Sequence, residues 1–348
     1  MSIIDALGFR AYTAPAKRFT SVLVTSGGTF TIGSFGPGST AGLRFASNEG
    51  SANRDDYVRR ALPSNQATLF LEFGFKPSKI PSATNEYKIA VFGDSGTHQV
   101  RLHLDSLGRL KVVRGDATVL ATTSATLSAG VRYWIGWQVT FHNSAGVTKI
   151  QINGVEQLNS TGLDTTNTAN AYANEYWFGS GNPGPTQNLD NQTQDYDNVL
   201  VSTDAFKGEV VVLEDLPTGT GDADDGVATG AADTRQALDD SNPDDDSTYT
   251  ALENNGDKFL LTFANLPAGV EVLACGTLTY AKKSSSGTAK FKQNLKIGST
   301  EYLSSVEVAP SNGSYDYFVD LQETSPDTSS AFTESEVNGM QVGAERSA

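Results

Sequence analysis

The sequence has very little cysteine: Cys275 stands alone among 348 residues, so no disulfide can form within the chain. Cys275 lies in the alternating run VEVLACGTLTY, which predicts a small buried side chain in a strand. The N-terminal segment lacks the continuous apolar stretch of a signal peptide, and no apolar run is long enough for a transmembrane helix. These absences predict a protein that folds in a reducing cytosol.

Positive charge is also scarce, because 25 Lys and Arg residues stand against 40 Asp and Glu residues, which gives a formal net charge of −15. Nucleic-acid binding requires a basic surface to neutralise phosphates, so the balance argues against a nucleic-acid partner. The same balance argues against insertion into, or binding to, an anionic membrane surface.

The chain lacks the common catalytic motifs. It has no Gly-x-Ser-x-Gly elbow, no Walker loop and no dinucleotide fingerprint. It also lacks the Glu-x-Asp-x-Glu strand motif with which sandwich glucanases supply two carboxylates. Its three histidines, His98, His103 and His142, have no zinc-type spacing, and we expect them at the surface or in turns. Together these absences predict a protein without enzymatic activity.

Strand-type alternation is what the sequence does have. In TLFLEFGF (68–75) every second residue is apolar, and the run Val131–Phe141 shows the longest alternation. The dipeptide Asn153-Gly154 predicts a type I′ hairpin, because both positions accept a positive φ. The pattern predicts an all-β fold.

An acidic, glycine-rich stretch divides the alternating runs into two groups. We therefore predict four segments: an N-terminal arm (1–20), a first β module (21–214), an acidic linker (215–246) and a smaller C-terminal β-sandwich (247–348). The last strand of the first module is predicted at Glu209–Leu213.

Aspartates are candidate ligands for calcium, which prefers carboxylate oxygens. They are Asp222, Asp224 and Asp225 in the acidic stretch, with Asp195 and Asp197 in the segment DYDN. The spacing departs from the helix–loop–helix calcium pattern, since no Glu follows at the twelfth position. A solvated acidic loop without metal is the alternative, and we expect no other cofactor.

Four aromatic residues are candidates for stacking on sugar rings: Trp134, Tyr172, Tyr176 and Trp177. Each stands in or beside a predicted strand. Packing in the core is the alternative explanation for all four.

Two segments of the first module resemble the laminin-G-like, concanavalin-type jelly roll. In RYWIGWQVTFHNSAGVTKIQINGVEQL (132–158), a Trp-containing strand is followed by a hairpin that closes on Asn-Gly. In DYDNVLVSTD (195–204), an acidic dipeptide precedes a β run. The resemblance implies a concanavalin A/laminin-G-like jelly roll over residues 21–214 and little about activity.

The whole chain resembles a group of tailed-bacteriophage virion proteins. In that group a jelly roll ends in a strand followed by Leu-Pro, and then come an acidic segment, a stretch like Asp-Asp-Asp-x-x-Tyr and a small β domain. The corresponding segments here are FKGEVVVLEDLP (206–217), NPDDDSTYTALENNGDKFLLTFANLP (242–267) and, near the C-terminus, FTESEVNGMQVGAER. The resemblance implies a non-enzymatic structural component of the virion, exposed on the particle at the tail or its fibres and contacting host glycan. A capsid decoration protein is the alternative, and a glycan depolymerase is less favoured.

The resemblance also implies partners and a location. The partners would be other virion proteins, further copies of this chain and a host surface glycan. The location would be the virion, assembled in the cytoplasm of the host bacterium.

Overall fold

The computed structural model describes residues 3–9, 19, 21–23, 28–33, 42–47, 56–82, 85–179, 192–284 and 286–348. The chain divides into two compact units, residues 2–213 and residues 214–348. Among the described residues no helix reaches the length and hydrophobicity that crossing a bilayer requires.

The first unit is a sandwich of two antiparallel sheets. Sheet A is built from β1 (Ile3–Leu7), β3 (Gly28–Gly33), β4 (Gly42–Ser47), β6 (Thr68–Pro77), β11 (Tyr133–Thr140), β12 (Gly146–Ile152), β13 (Val155–Leu163) and β15 (Gln192–Ser202). Sheet B is built from β2 (Ser21–Leu23), β5 (Tyr57–Gln66), β7 (Glu86–Asp94), β8 (Thr97–Asp105), β9 (Arg109–Arg114), β10 (Val119–Thr126) and β14 (Ala173–Gly179).

The strand order of both sheets interleaves distant parts of the chain. Sheet A runs β13-β12-β11-β6-β15-β4-β3, with β1 paired to β15, and sheet B runs β10-β9-β8-β7-β14-β5-β2. This is the architecture of a jelly-roll sandwich, so the predicted all-β, concanavalin-type fold class is confirmed.

The core between the sheets follows the alternation of the sequence. One side of β6 points inward with Leu69, Leu71, Phe73 and Phe75, all fully buried. On β11 the inward residues are Ile135, Trp137 and Val139. The turn at Asn153 (φ 51°) and Gly154 (φ 76°) joins β12 to β13, which confirms the predicted hairpin.

The predicted N-terminal arm contributes a strand to sheet A, because β1 pairs with β15. Its Asp5 is buried, and there it accepts hydrogen bonds from the Arg60 guanidinium and from the Tyr176 hydroxyl (2.8 Å). These contacts tie the segment into the sandwich. Residues 10–18 of the predicted arm lie outside the described residues.

Residues 203–213, here called the crossing segment, run over the outer face of sheet A. They include the predicted strand Glu209–Leu213, which is not a strand in the structure. Instead, the carboxylate of Glu72 accepts hydrogen bonds from the backbone N–H groups of Lys207 (2.7 Å) and Gly208 (2.9 Å). Glu209 pairs with Arg132 at 2.5 Å. Side chains of sheet A, rather than a neighbouring strand, hold this segment.

The second unit contains a five-stranded antiparallel sheet of order β16-β19-β24-β21-β22 and two two-stranded sheets, β17-β18 and β20-β23. The strands are β16 (Gly219–Asp224), β17 (Val227–Thr229), β18 (Tyr249–Ala251), β19 (Lys258–Thr262), β20 (Cys275–Ala281), β21 (Phe291–Ile297), β22 (Thr300–Leu303), β23 (Asp316–Gln322) and β24 (Gln341–Arg346). Two short helices, α1 (Thr234–Ala237) and α2 (Glu334–Gly339), complete it.

Residues 215–246, predicted as an acidic linker, fold as part of this second unit. β16 pairs with β19, and the unit's cations and hydroxyl groups hold its aspartates: Asp222 pairs with Lys296, and Asp224 accepts a hydrogen bond from the Thr234 hydroxyl. Composition alone indicated a connector, because aspartate and glycine are depleted in strands.

Two sequence patterns in this unit have opposite outcomes. The spacing of Thr333 and Glu336 predicts a capping box, which is present at the start of α2. The lysines on one side of the run 290–296 predict an exposed or edge strand, but β21 lies between β24 and β22. Its outward side chains find acidic neighbours instead, as Lys296 does in Asp222.

Asp245 and Asp246, in the acidic run NPDDD (242–246), bind side chains of a group of stacked tyrosines. Tyr280 stacks on Tyr315 with 4.8 Å between ring centroids, and its hydroxyl donates to Asp245 at 2.7 Å. Lys282 pairs with Asp246 and lies over the Tyr315 ring. Because each ring and each carboxylate here has a partner, the motif has a structural role.

We predict that Glu72→Ala lowers the free energy of unfolding by about 1–3 kcal/mol, since two backbone N–H groups lose their acceptor. Urea denaturation of the full chain measures the change. Asp204→Ala is the matched control, because it removes an exposed ion pair with Lys207 in the same segment and is expected to cost less than about 1 kcal/mol. Equal effects of the two variants would contradict this account of the crossing segment.

Candidate functional site

A group of basic and imidazole side chains covers the outer face of sheet B. Because Val100, Leu102 and Leu104 of β8 point into the core, Arg101 and His103 point outward. The register of β7 against β8 shifts between Phe92 and Gly93. We call the following residues the basic face: Arg59, Lys88, His98, Arg101, His103 and Lys111.

One row of this face crosses three neighbouring strands. Lys88 of β7 and Lys111 of β9 are the direct cross-strand partners of His103 on β8. The His103 Nδ1 atom lies 2.9 Å from a carboxylate oxygen of Glu86, which also pairs with Lys111. Since a carboxylate only accepts, Nδ1 carries the proton and Nε2 is the ring's acceptor nitrogen.

A second row combines arginine with aromatic rings. Trp177 of β14 stacks on Tyr57 with 4.8 Å between centroids, and the Arg59 guanidinium lies 5.7 Å from the Trp177 ring. The His98 ring meets Trp177 edge-on at 4.5 Å. Cationic and apolar surfaces therefore lie side by side on this face.

Neighbouring loops fix the position of these side chains. Glu175 accepts a hydrogen bond from the Gly96 N–H (2.7 Å) and lies 3.7 Å from Arg59, which joins the β7–β8 turn to β14 and β5. Gln99 holds the 165–172 loop through hydrogen bonds that include one to the Tyr172 carbonyl (3.0 Å). The side chains of the site thus lie on strands, and hydrogen bonds to the β7–β8 turn and to the 165–172 loop hold one end of the site in place.

Several nitrogen atoms of this face are buried without a hydrogen-bond partner in the described structure. They are Arg59 Nε, His98 Nε2, Arg101 Nε, His103 Nε2 and Trp177 Nε1. Native proteins pair the large majority of buried polar atoms, so a concentration of unpaired ones on one face points to a ligand site.

Burial and mutual repulsion control the charges of the two histidines. Burial, reinforced by Lys88, Arg101 and His103, lowers the pKa of His98 to about 2. Burial, with Arg101 and Lys88, holds the pKa of His103 well below its usual value. His98 and His103 are only 5% exposed, and the neighbouring Lys88 is fully buried. Both imidazoles are therefore neutral near pH 7.

Of the four aromatic residues predicted to contact sugar, the structure brings only Trp177 to this face. Trp134 is buried on the outer face of sheet A, where its indole N–H lies 3.4 Å from Glu72. Tyr176 is 1% exposed and points into the core. Tyr172 is half-buried in the loop before β14. Trp134 and Tyr176 therefore face other surfaces of the first unit than Trp177 does.

The prediction of surface or turn histidines is wrong for His98 and His103, which are buried on strand β8. The signal was present in HQVRLHLD (98–105), where charged and imidazole side chains occupy one side of a strand. What the sequence did not reveal is that β7, β9 and β14 bring further cations and aromatic rings to the same face.

The predicted calcium ligands lie in two different units and have other partners. Asp195 accepts two hydrogen bonds from Arg44 (2.6 and 2.8 Å), and Asp197 accepts two from Arg132 (2.9 and 2.7 Å). Asp225 accepts a hydrogen bond from the Lys258 N–H at 3.3 Å. Within the described ranges, no group of three or more His, Cys, Asp or Glu side chains is arranged to hold a metal ion.

Comparison with known proteins gives structural similarity without sequence similarity. No family model and no curated protein matches the chain. Among solved structures, the cellulose-induced protein Cip1 matches with a TM-score of 0.45 and 12% identity, over 57% of this chain and 97% of that one. The alginate lyase Aly36B in complex with an alginate tetrasaccharide matches with a TM-score of 0.41 and 13% identity, over 60% of this chain and 98% of that one. A sialidase matches with a TM-score of 0.40 and 13% identity, over 53% of this chain and 17% of the sialidase.

These comparisons correct two predictions. The matched structures include alginate lyases and sialidases, so the predicted non-enzymatic virion component, with its capsid alternative, is wrong. The predicted lack of enzymatic activity is wrong on the same finding. The resemblance to virion proteins, the partners and the virion location are tested by none of these comparisons and stay predictions.

We predict that acidification destabilises the protein through His98. Its folded pKa is depressed, so below about pH 6.5 the unfolded chain takes up a proton that the folded chain does not. Stability is then lost as pH falls toward the folded pKa, by about 1.4 kcal/mol per pH unit for this histidine.

Urea denaturation between pH 7 and pH 5 measures this slope. His98→Gln should reduce it, whereas His142→Gln, which replaces an exposed histidine, should leave it unchanged. A His98→Gln variant with the wild-type slope would show that His98 titrates normally in the folded protein.

Proposed function

We propose that the basic face binds an anionic carbohydrate. The observation that supports this most strongly is the set of buried, unpaired nitrogen atoms on one outer sheet face, beside a stacked Trp–Tyr pair. A sugar would satisfy both kinds of group, because its oxygen atoms accept hydrogen bonds from the Arg59, Arg101 and Trp177 N–H groups and its hydroxyl groups donate to His103 Nε2. Such bonds are electrostatically stronger in a buried site than in water.

The charge of the face favours an anionic ligand. Four permanent cations, Arg59, Lys88, Arg101 and Lys111, share the face with two carboxylates, Glu86 and Glu175. This excess of basic groups stands out in a chain whose formal net charge is −15. A carboxylate or sulfate group placed among these side chains would compensate the excess.

The aromatic pair favours a carbohydrate over a small inorganic anion. Tyr57 is half-buried and stacks on the buried Trp177 next to the cations, and the C–H face of a sugar packs on such rings. A sugar acid combines both properties, because one side of its ring is apolar and its carboxylate is charged.

Binding is tested by isothermal titration of the full chain with oligosaccharides from alginate, polygalacturonate and hyaluronan. We expect at least one acidic ligand to bind, with affinity that falls as salt is added. Arg101→Gln and Lys111→Gln should each weaken binding at least tenfold. Arg109→Gln is the control, because Arg109 is a more exposed arginine that pairs with Asp105 on the neighbouring edge.

Two results would contradict the proposal. One is wild-type affinity in both Arg101→Gln and Lys111→Gln, with their folding verified by circular dichroism. The other is that none of the acidic ligands binds.

A second function, cleavage of the bound polysaccharide, is favoured by one specific observation. Glu86 orients the His103 ring, and its acceptor nitrogen Nε2 has no partner in the described structure, which is the arrangement of a general base. Beside a uronate, His103 would take the proton on the carbon next to the carboxylate. The electron pair of that C–H bond then forms a C=C bond, the C–O bond to the next sugar breaks, and the departing oxygen takes up a proton from the His103 imidazolium or from water. The neighbouring cations would stabilise the charge that develops on the carboxylate.

Cleavage is measured by the ultraviolet absorbance of the unsaturated product. We expect His103→Gln to abolish product formation while acidic-ligand binding stays within about threefold of wild type. Product formation that survives in His103→Gln would remove this role, and binding without any product in the wild type would leave the protein as a binding module.

A further inference from the structure

The outer face of sheet A carries a cleft of about 320 Å³ that the basic face does not touch. Phe70, Gln138, Lys149, Gln151, Glu156 and Phe206 line it. We infer that this cleft is a second saccharide site, one that takes a neutral sugar.

An aromatic ring forms one wall of the cleft. Phe206 of the crossing segment meets Phe70 edge-on, with 5.1 Å between centroids at 90°. It also lies directly over Gly136, where a Cβ atom would come within 2.9 Å of the ring. Glycine at this position therefore sets where the ring sits, and the ring stays half-buried with part of its surface toward the cleft.

The polar wall of the cleft differs from the rest of the sheet A face. Several carboxylates on that face are paired: Asp195 with Arg44, Asp197 with Arg132, and Glu72 with two backbone N–H groups. The half-buried side chains of Gln138, Lys149 and Gln151 make no hydrogen bond or ion pair within the described part of the chain. Three neighbouring polar side chains at the cleft can therefore bind a ligand.

The chemistry of these groups fits a neutral sugar. Each glutamine amide both donates and accepts, as the hydroxyl groups of a sugar require. The two are close, because Gln138 and Gln151 project from the same side of adjacent strands β11 and β12. The charges of Lys149 and Glu156 are opposite, and the carboxylate of Asp204, which also lines the cleft, pairs with Lys207. The charges at the cleft are therefore largely compensated, in contrast to the basic face.

The test is isothermal titration of the full chain with cellohexaose, maltohexaose and mannohexaose as three separate probes. At least one should bind. The double variant Gln138→Ala/Gln151→Ala should weaken that binding at least tenfold, and Gly136→Ala should weaken it by displacing the Phe206 ring. Gln157→Ala is the matched control, because Gln157 is a half-buried glutamine on the neighbouring strand β13 that is not part of the cleft.

The Arg101→Gln variant separates this inference from the proposed function. Neutral-sugar binding that persists in Arg101→Gln and is lost in the double glutamine variant supports a site on sheet A. Loss of neutral-sugar binding in Arg101→Gln alone would place the sugar on the basic face and overturn the inference. Failure of all three probes to bind at millimolar concentration would also overturn it.

Discussion

The packing of two sheets around one aromatic core is the constraint on which the candidate site depends. Phe73 and Phe178 from opposite sheets meet at 5.1 Å, and Phe92 stacks on Trp137 at 4.5 Å. Because strand side chains alternate, each inward residue fixes its neighbours on the outer face. Thus the inward leucines of β8 set the positions of Arg101 and His103, and a one-residue change of register would move both of them into the core.

The basic face is held at a cost to stability. A buried donor without an acceptor costs about 1–3 kcal/mol, and like charges at short range repel each other. The sandwich core offsets that cost with large apolar side chains, whose burial contributes roughly 1.5–3 kcal/mol each. A face that costs stability when empty and gains hydrogen bonds when a ligand binds is typical of a functional site.

The local features of the fold could be predicted from the sequence because neighbouring residues determine them. The alternation of β6, the Asn153-Gly154 hairpin and the Thr333–Glu336 capping box all belong to this kind. The run Glu209–Leu213 has strand-type residues and yet forms no strand, since Glu72, 135 residues before Lys207, accepts its neighbours' N–H groups. Similarly, residues 219–224 form a strand despite their composition, because β19 pairs with them.

The site was harder to predict, because it is assembled across five strands that are distant in sequence. Lys88, His103 and Lys111 are cross-strand partners, and no spacing along the chain reveals that. Trp177 was a candidate because its ring is large and amphipathic, and it lies on the basic face; the same criterion selected Tyr176, which the alternation of β14 turns inward. A search for strands with charged residues on one side would have found β8.

A crystal structure of the protein with a bound acidic oligosaccharide would test the central claim most directly. The account predicts sugar density on the outer face of sheet B, with a carboxylate of the ligand within hydrogen-bond distance of Arg101 or Lys111 and a sugar ring beside Trp177. Density for the acidic sugar on the outer face of sheet A, or on the second unit, with the basic face unchanged, would contradict it.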